Sequence, residues 1–182
     1  MTTRRTLVIG GARSGKSAWA EQQAAAAGCG VTVVVTAQPL DDEMAARIAL
    51  HRAQRPAHWR SVEAPLVLAA ALQREARSDR VLVVDCLTLW LTNLLLAEGF
   101  DEGAPWAASP TYRREHDALL DVLPTLPSTL LLIGNEVGHG IVPMGALNRV
   151  FVDENGRLHQ ALAQRCDAVR FVMAGCVLPL KG

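Results

Sequence analysis

The sequence predicts an α/β fold, with a mostly parallel β-sheet and helices on both faces, built as a single domain of residues 1–182. Short apolar runs alternate with longer segments of helical composition. This alternation is typical of βαβ units, whose crossover connections place the strands parallel. The run 31–36 is continuously apolar or β-branched, which is typical of a strand buried on both faces. A chain of this length can bury one sizeable core.

The first predicted strand, Arg5–Ile9, is followed by a loop of phosphate-binding type. It matches the spacing G-x-x-x-x-G-K-S at every position and consists of Gly10, Gly11, Ala12, Arg13, Ser14, Gly15, Lys16 and Ser17. Glycines let backbone N–H groups turn inward onto a phosphate, and the next helix, Lys16–Ala27, adds its positive N-terminal end. Lys16 is expected to reach the β- and γ-phosphates and Ser17 to bind Mg²⁺. These features predict a P-loop NTPase.

The later elements continue the alternation. After a strand at Val31–Thr36, Pro39 breaks the run, and Asp41 or Asp42 can cap a helix from about Glu43 to Ala53. Ser61–Pro65 is expected to be a short extended piece. Further helices are predicted at Leu66–Arg77, Leu87–Ala97, Thr111–Leu123 and Gly145–Arg165, and further strands at Arg80–Asp85, Thr129–Ile133 and Ala168–Ala174.

Polar residues lie where these strands end, and ligands bind at the carboxyl ends of parallel strands. Besides the phosphate loop, the polar segments are 36–42, Asp85 and 134–140. Asp85 closes an apolar strand, where a nucleotide-transferring site places the carboxylate that holds Mg²⁺, directly or through water; the alternative is a solvated strand end. Arg13 could add charge at the phosphates or pair elsewhere. Glu63 could accept hydrogen bonds from guanine N1–H and its 2-amino group, or be an ordinary charge at a helix start.

A histidine on the predicted helix 43–53 is a candidate nucleophile. His51 shares one helix face with Glu43 and Arg47. An imidazole is largely neutral at cellular pH and can attack phosphorus. Attack on the α-phosphate of a nucleotide would release pyrophosphate, with Arg52 and Arg55 supplying positive charge. From residue types alone, a solvated helix face is the simpler interpretation.

The other histidines lack a pattern of partners that would indicate a site. His58, His116 and His159 are interpreted as ordinary surface or satisfied histidines. His139, flanked by Gly138 and Gly140, could contact a substrate, but no ligand spacing supports a metal site.

Composition limits the partners and the compartment. Lys plus Arg equals Asp plus Glu at 18 each, so no net charge attracts nucleic acid or an anionic membrane. The longest apolar run, near Leu87–Leu96, is interrupted by polar residues and is too short for insertion into a membrane. Without a credible secretory signal, reduced thiols indicate a cytoplasmic protein. The four scattered cysteines expected to be buried and reduced are Cys29, Cys86, Cys166 and Cys176.

Taken together, the motifs resemble one family, the bifunctional adenosylcobinamide kinase and adenosylcobinamide-phosphate guanylyltransferase of cobalamin biosynthesis. The resemblance spans almost the full length of the chain. The matching residues are 10–17, Asp41–Ile48 with His51, Arg55–Arg60, Asp85–Thr88, Thr92–Leu95, Asn135–Gly138 and Gly140–Pro143.

The resemblance implies a RecA-like P-loop fold, a homotrimer and two reactions in one chain. First, ATP or GTP would phosphorylate the hydroxyl of adenosylcobinamide. Second, GTP would guanylylate a histidine, which falls on His51 here, and GMP would pass to adenosylcobinamide phosphate to give adenosylcobinamide-GDP. Lys16 would serve both reactions, and Ser17 and Asp85 would hold Mg²⁺ with the nucleotide. Beyond the loop, the nucleotide-contacting segments of the family fall on Thr36, Ala37, Gln38, Arg52, Ala53, Gln54, Arg55, Glu63 and Asp85.

Two other functions stay open from the residues alone. One is a monofunctional P-loop kinase of a small metabolite, with His51 merely on the surface. The other is a nucleotide-gated binding module without metabolic turnover. Under every alternative we expect neither nucleic acid nor a membrane as a partner.

Overall fold

Seven strands form one sheet in the computed structural model, which describes residues 4–182 apart from the side chains of Arg47 and Gln54. The order across the sheet is β3-β2-β4-β5-β1-β6-β7. Every neighbouring pair is parallel except β6 and β7, which are antiparallel. The strands are β1 (Arg5–Gly10), β2 (Gly30–Val35), β3 (Arg60–Glu63), β4 (Arg80–Asp85), β5 (Thr129–Asn135), β6 (Ala168–Met173) and β7 (Cys176–Lys181).

Six α-helices connect these strands, and a short 3₁₀ turn follows the fifth. Asp41 caps the second helix, because its carboxylate accepts a hydrogen bond from Met44 N–H at 2.7 Å. No helix within residues 4–182 is long and apolar enough to cross a membrane. The helices are α1 (Lys16–Ala26), α2 (Asp42–Gln54), α3 (Leu68–Glu75), α4 (Leu87–Leu96), α5 (Pro110–Val122) and α6 (Ala146–Arg165), and the 3₁₀ turn is Leu123–Thr125.

Strand side chains alternate between two apolar layers. In β4, Val81 and Val83 face one layer, while Leu82 and Val84 face the other, as the two-residue period of a strand requires. The first layer includes α1, and the second includes α3, α4, α5 and α6. Helices therefore cover both faces of a mostly parallel sheet, which confirms that part of the sequence prediction.

The last strand of the sheet was not predicted from the sequence. The final predicted strand was 168–174, whereas β6 stops at Met173 and the chain reverses through Ala174 and Gly175, both with positive φ (52° and 76°). β7 then pairs antiparallel with β6. The strand contains Pro179, which has no N–H to donate and is tolerated at a sheet edge. An exposed edge strand of this kind lacks the buried pattern that identified the others.

The turn between β6 and β7 supports the phosphate loop. Gly175 N–H donates a hydrogen bond to Ser14 C=O at 2.9 Å. Gly15 has φ of +100°, and a Cβ added there would lie 3.3 Å from Gly175 Cα. The loop that follows β1 thus packs against the turn that follows its neighbouring strand β6, about 160 residues later in the sequence.

Candidate active site

A cleft of about 220 Å³ lies between the phosphate loop and α2, at the carboxyl ends of the central strands. The parallel strands place their polar ends on one edge, where the sequence analysis expected a site. The predicted nucleophile His51 lines this cleft together with seven of the residues predicted to bind the nucleotide: Lys16, Ser17, Ala37, Arg52, Arg55, Glu63 and Asp85.

The phosphate loop forms a tight turn before α1. Arg13 and Gly15 both have positive φ, 57° and 100°, and α1 begins at Lys16. Lys16 is largely buried, and its Nζ donates to Gly11 C=O at 3.1 Å across the loop. Within the described part of the chain, the buried Ser14 hydroxyl has no hydrogen-bond partner. The loop therefore presents a lysine and a helix N-terminus to the cleft, as binding of a phosphate chain requires.

Arg55, directly after α2, places a buried guanidinium between two carboxylates. Its side chain is 6% exposed, and its Nη2 donates to Asp85 Oδ2 at 2.6 Å. Its Nε donates to Glu21 Oε1 on α1 at 3.3 Å. These ion pairs fasten the end of α2 to β4 and to α1. A carboxylate has two oxygens, so Asp85 can keep this pair and still present Oδ1 to a metal ion.

His51 and Arg52 lie one turn before Arg55, at the mouth of the same cleft. His51 is half-buried, and it lines the cleft together with Arg55, which follows the last turn of α2. Arg52 Nη2 lies 3.6 Å from Glu63 Oε1, and both side chains are mostly exposed. The candidate nucleophile is therefore flanked by one buried and one exposed arginine.

The cleft also has an apolar wall, which the sequence analysis did not assign to the site. Met44 and Ile48, one helical turn apart on α2, are part of it. Such a wall suits the faces of a flat base. The other lining residues that were not assigned are Val35, Pro39, Cys86, Leu89, Ile133 and Asn135.

Some predicted residues lie elsewhere or act differently. Thr36 is fully buried; its hydroxyl donates to Cys86 C=O at 2.6 Å and accepts from Cys86 N–H at 2.9 Å, so it joins the ends of β2 and β4. Gln38 and Ala53 are not among the described lining residues. The side chain of Gln54 lies outside the described residues.

Two sequence-based interpretations of single side chains are wrong. Cys176 is exposed and Cys29 is partly exposed, so only Cys86 and Cys166 are buried thiols. His159 is buried rather than at the surface, and neither ring nitrogen has a hydrogen-bond partner within residues 4–182. Its Nδ1 lies 3.7 Å from Glu136 Oε2. The position of His159 on a long amphipathic helix gave no signal of this neighbour.

Comparison with known proteins identifies the family. Residues 6–180 match the family model described as cobinamide kinase / cobinamide phosphate guanyltransferase. The chain belongs to this family. It is 53% identical over 178 residues to the bifunctional adenosylcobalamin biosynthesis protein CobP of Pseudomonas aeruginosa, covering 98% of each chain. It is 39% identical to the bifunctional adenosylcobalamin biosynthesis protein CobU of Escherichia coli, covering 96% of this chain and 98% of that one.

Membership of the cobinamide kinase / cobinamide phosphate guanyltransferase family confirms the resemblance drawn from the motifs. It also confirms, at the level of the family, a bifunctional kinase and guanylyltransferase of cobalamin biosynthesis. Neither the monofunctional kinase nor the binding module gains support. The roles of individual residues in the cleft stay predictions.

Solved structures of distant proteins share the fold. The RadB recombinase superposes with a TM-score of 0.52 at 17% identity, covering 92% of this chain and 73% of that one. The ATPase EscN of a type III secretion system from enteropathogenic E. coli gives the same TM-score of 0.52 at 13% identity, covering 93% of this chain and 42% of that one. These likenesses confirm the predicted RecA-like P-loop fold.

Proposed function

We propose that this chain phosphorylates adenosylcobinamide with ATP or GTP, and then transfers GMP from GTP to adenosylcobinamide phosphate through a guanylylated His51. The observation that carries the proposal is that Lys16 and His51 line one cleft in a member of this family. A single bound triphosphate can then present its γ-phosphorus for the first reaction and its α-phosphorus for the second. Attack by the substrate hydroxyl on the γ-phosphorus gives adenosylcobinamide phosphate, and attack by His51 on the α-phosphorus gives the guanylylated enzyme.

In the guanylyl transfer, a ring nitrogen of His51 attacks the α-phosphorus of GTP. The N–P bond forms, the bond from the α-phosphorus to the α–β bridging oxygen breaks, and pyrophosphate leaves. A phosphate oxygen of adenosylcobinamide phosphate then attacks the same phosphorus and displaces His51. Lys16 and Arg52, which line the cleft, supply positive charge for the triphosphate and the leaving pyrophosphate.

The residues of the cleft fit Mg²⁺ bound together with a nucleotide. Ser17 and Asp85 line the cleft, but no group of three or more His, Cys, Asp or Glu side chains suitable for a metal occurs within the described residues. Phosphate oxygens of the nucleotide and water would complete the coordination. When bound, the ion would neutralise charge that develops on the transferred phosphoryl group and the leaving group. Ser17 and Asp85 would hold and orient it.

Glu63 is proposed to select guanine in the second reaction. Its carboxylate lies at the end of β3, lines the cleft and is mostly exposed, with Arg52 as a neighbour at 3.6 Å. A carboxylate can accept hydrogen bonds from guanine N1–H and the 2-amino group at once, whereas adenine offers no such pair of donors. The apolar wall of Met44 and Ile48 is proposed to pack against the base.

We also propose that the enzyme is a cytoplasmic homotrimer. Several large apolar side chains are strongly exposed in the single chain, which supports assembly. They include Ile141 at 99% and Met144 at 93% exposed, in the loop between β5 and α6. Light scattering coupled to size exclusion measures the mass in solution, and a monomer at micromolar concentration would contradict the trimer.

The test of the proposed function is intact-protein mass spectrometry after brief incubation with GTP and Mg²⁺. We expect the wild type to gain the mass of one GMP, which mild acid removes because a phosphoramidate is acid-labile. His51→Ala should gain nothing yet still phosphorylate adenosylcobinamide, whereas Lys16→Ala should lose both reactions. His58→Ala, in the exposed connection after α2, is the matched control and should behave as the wild type does.

Two outcomes would contradict the proposal. A GMP adduct that persists in His51→Ala would place the nucleophile elsewhere. Wild-type protein that binds GTP without gaining mass would leave only the phosphorylation reaction to this chain.

A further inference from the structure

A buried polar group lies against the end of β5, outside the residues assigned above. His159 on α6 is 6% exposed, and within residues 4–182 neither of its ring nitrogens has a hydrogen-bond partner. A buried polar side chain without a partner is rare and is expected to have a role. The nearest carboxylate is Glu136, whose Oε2 lies 3.7 Å from His159 Nδ1.

Burial keeps this imidazole neutral. The loss of solvation lowers the pKa of His159, and the neighbouring Glu136 carboxylate only partly offsets that effect. A neutral imidazole has one nitrogen that donates and one that accepts. The neutral His159 ring, whose Nδ1 lies 3.7 Å from Glu136 Oε2, therefore restricts where the carboxylate can lie without neutralising its charge.

The fold places Glu136 close to the phosphate loop. It directly follows β5, the strand between β1 and β4, and its backbone N–H donates to Gly10 C=O at 3.0 Å. The preceding residue, Asn135, lines the cleft. The carboxylate therefore lies at the carboxyl ends of the strands. Its strand, β5, lies between β1, which the phosphate loop follows, and β4, which ends in Asp85.

Neighbouring side chains fix the end of β5. Asn135 N–H donates to the Thr88 hydroxyl at 2.7 Å, and the Asn155 amide donates to Asn135 C=O at 3.1 Å. Glu136 Oε1 accepts from Gly138 N–H at 2.6 Å. One oxygen of the carboxylate is thereby held by the backbone and the other faces His159. Such restraint from several elements is what an acid–base group requires.

The carboxylate also reaches solvent. The Glu136 side chain is 19% exposed, so one part of its carboxylate is open to solvent. A substrate hydroxyl can therefore reach it from outside the protein. His51, in contrast, lies on α2. The two reactions would then use different side chains beside one phosphate loop.

From these contacts we propose that Glu136 accepts the proton of the substrate hydroxyl in the kinase reaction, and that His159 is the positioning residue for its carboxylate. The proposal rests on the kinase function proposed above. In this step the O–H bond breaks and its proton passes to Glu136 Oε2. The oxygen bonds to the γ-phosphorus, the bond to the β–γ bridging oxygen breaks, and its electron pair leaves on ADP or GDP. The protonated carboxyl returns its proton to solvent after product release.

The first variant is Glu136→Gln, whose amide oxygen can still accept from Gly138 N–H. We expect kcat for phosphorylation of adenosylcobinamide to fall by about 100-fold or more, the usual contribution of a general base. KM for ATP and the rate of GMP attachment to His51 should stay within about twofold, because neither involves the hydroxyl proton. Asp153→Asn, an exposed carboxylate on α6, is the control and should leave both reactions unchanged.

The second variant is His159→Phe, which keeps a ring but removes both nitrogens. We expect kcat of the kinase reaction to fall by roughly tenfold to a hundredfold with KM unchanged, since misplacing a reacting group by about 1 Å costs up to about 10²-fold. His159→Asn, which restores a polar partner for the carboxylate, should recover most of the rate. A merely structural role for His159 would slow both reactions alike.

The outcomes separate the failure of this inference from that of the proposed function. Suppose that the wild type phosphorylates adenosylcobinamide. If Glu136→Gln is then equally active, or if this variant loses both reactions together, the role of Glu136 is overturned and the proposed function is not. A wild-type chain that attaches GMP to His51 yet phosphorylates no cobinamide overturns the proposed kinase function, and the role of Glu136 with it. Selective loss of kinase kcat in Glu136→Gln supports the proposal.

Discussion

Replacing Arg55 by methionine tests how the end of α2 is held. Arg55 is 6% exposed and its guanidinium bridges Asp85 at 2.6 Å and Glu21 at 3.3 Å. Methionine fills similar space without charge, so the substitution leaves two carboxylates near each other with no cation between them. We expect loss of stability from repulsion and from unpaired charge rather than from a cavity.

The burial of these side chains determines how much free energy of unfolding Arg55→Met should lose. Removing one partner of a buried ion pair costs roughly 3–5 kcal/mol. The side chains of Asp85 and Glu21 are 21% and 30% exposed, so water recovers part of their solvation. We therefore expect a loss of about 2 kcal/mol in the free energy of unfolding, which lowers Tm by about 6 °C for a chain of this length.

The assay is thermal unfolding followed by circular dichroism, without nucleotide, with Arg52→Met as the matched control. Arg52 lies on the same helix, but its pair with Glu63 at 3.6 Å is 62% and 71% exposed. An exposed pair contributes less than about 1 kcal/mol, so the Tm of the control should fall by less than about 3 °C. Equal Tm values for the two variants would refute the claim that the ion pairs of Arg55 hold α2.

Two further predictions concern packing and thiol chemistry. Gly134→Ala would place a Cβ 2.5 Å from His159 Nε2, so we expect a loss of about 2 kcal/mol in urea unfolding, whereas Gly140→Ala, whose Cβ meets nothing within 4 Å, should be neutral. Cys176 is exposed and should react at once with a disulfide reagent. Burial raises the pKa of Cys166 to about 12, so this thiol should react only when the protein unfolds. Rapid modification of Cys166 in the folded protein would contradict this.

Local pattern was enough to predict most of the fold. Strands such as Val31–Thr36 and Arg80–Asp85 are continuous apolar runs, and Asp41 at a helix start needs only a backbone N–H three residues later. The rule for the carboxyl ends of parallel strands then brought His51 and the phosphate loop to the same edge. These inferences depend on periodicity and chain order, which a sequence displays directly.

Contacts that depend on how distant elements pack could not be predicted in the same way. The pairing of Arg55 with Asp85 depends on where α2 ends over the sheet, and the approach of His159 to Glu136 depends on the rotation of α6 against β5. Nothing in the residue types near His159 distinguishes it from a surface histidine. The strand at Cys176–Lys181 was missed because its edge position imposes no buried pattern.

A ribosome releases the phosphate loop long before the residues that support it. β1 pairs with β5 on one side and β6 on the other, and Ser14 accepts its hydrogen bond from Gly175, near the opposite end of the sequence. A domain folds as a unit once it has been made, and during synthesis the loop emerges before these neighbours exist. A chain that ends before Gly175 lacks both the pairing of β6 with β1 and this hydrogen bond, so we expect the loop to take its final shape only after the hairpin of β6 and β7 has been made.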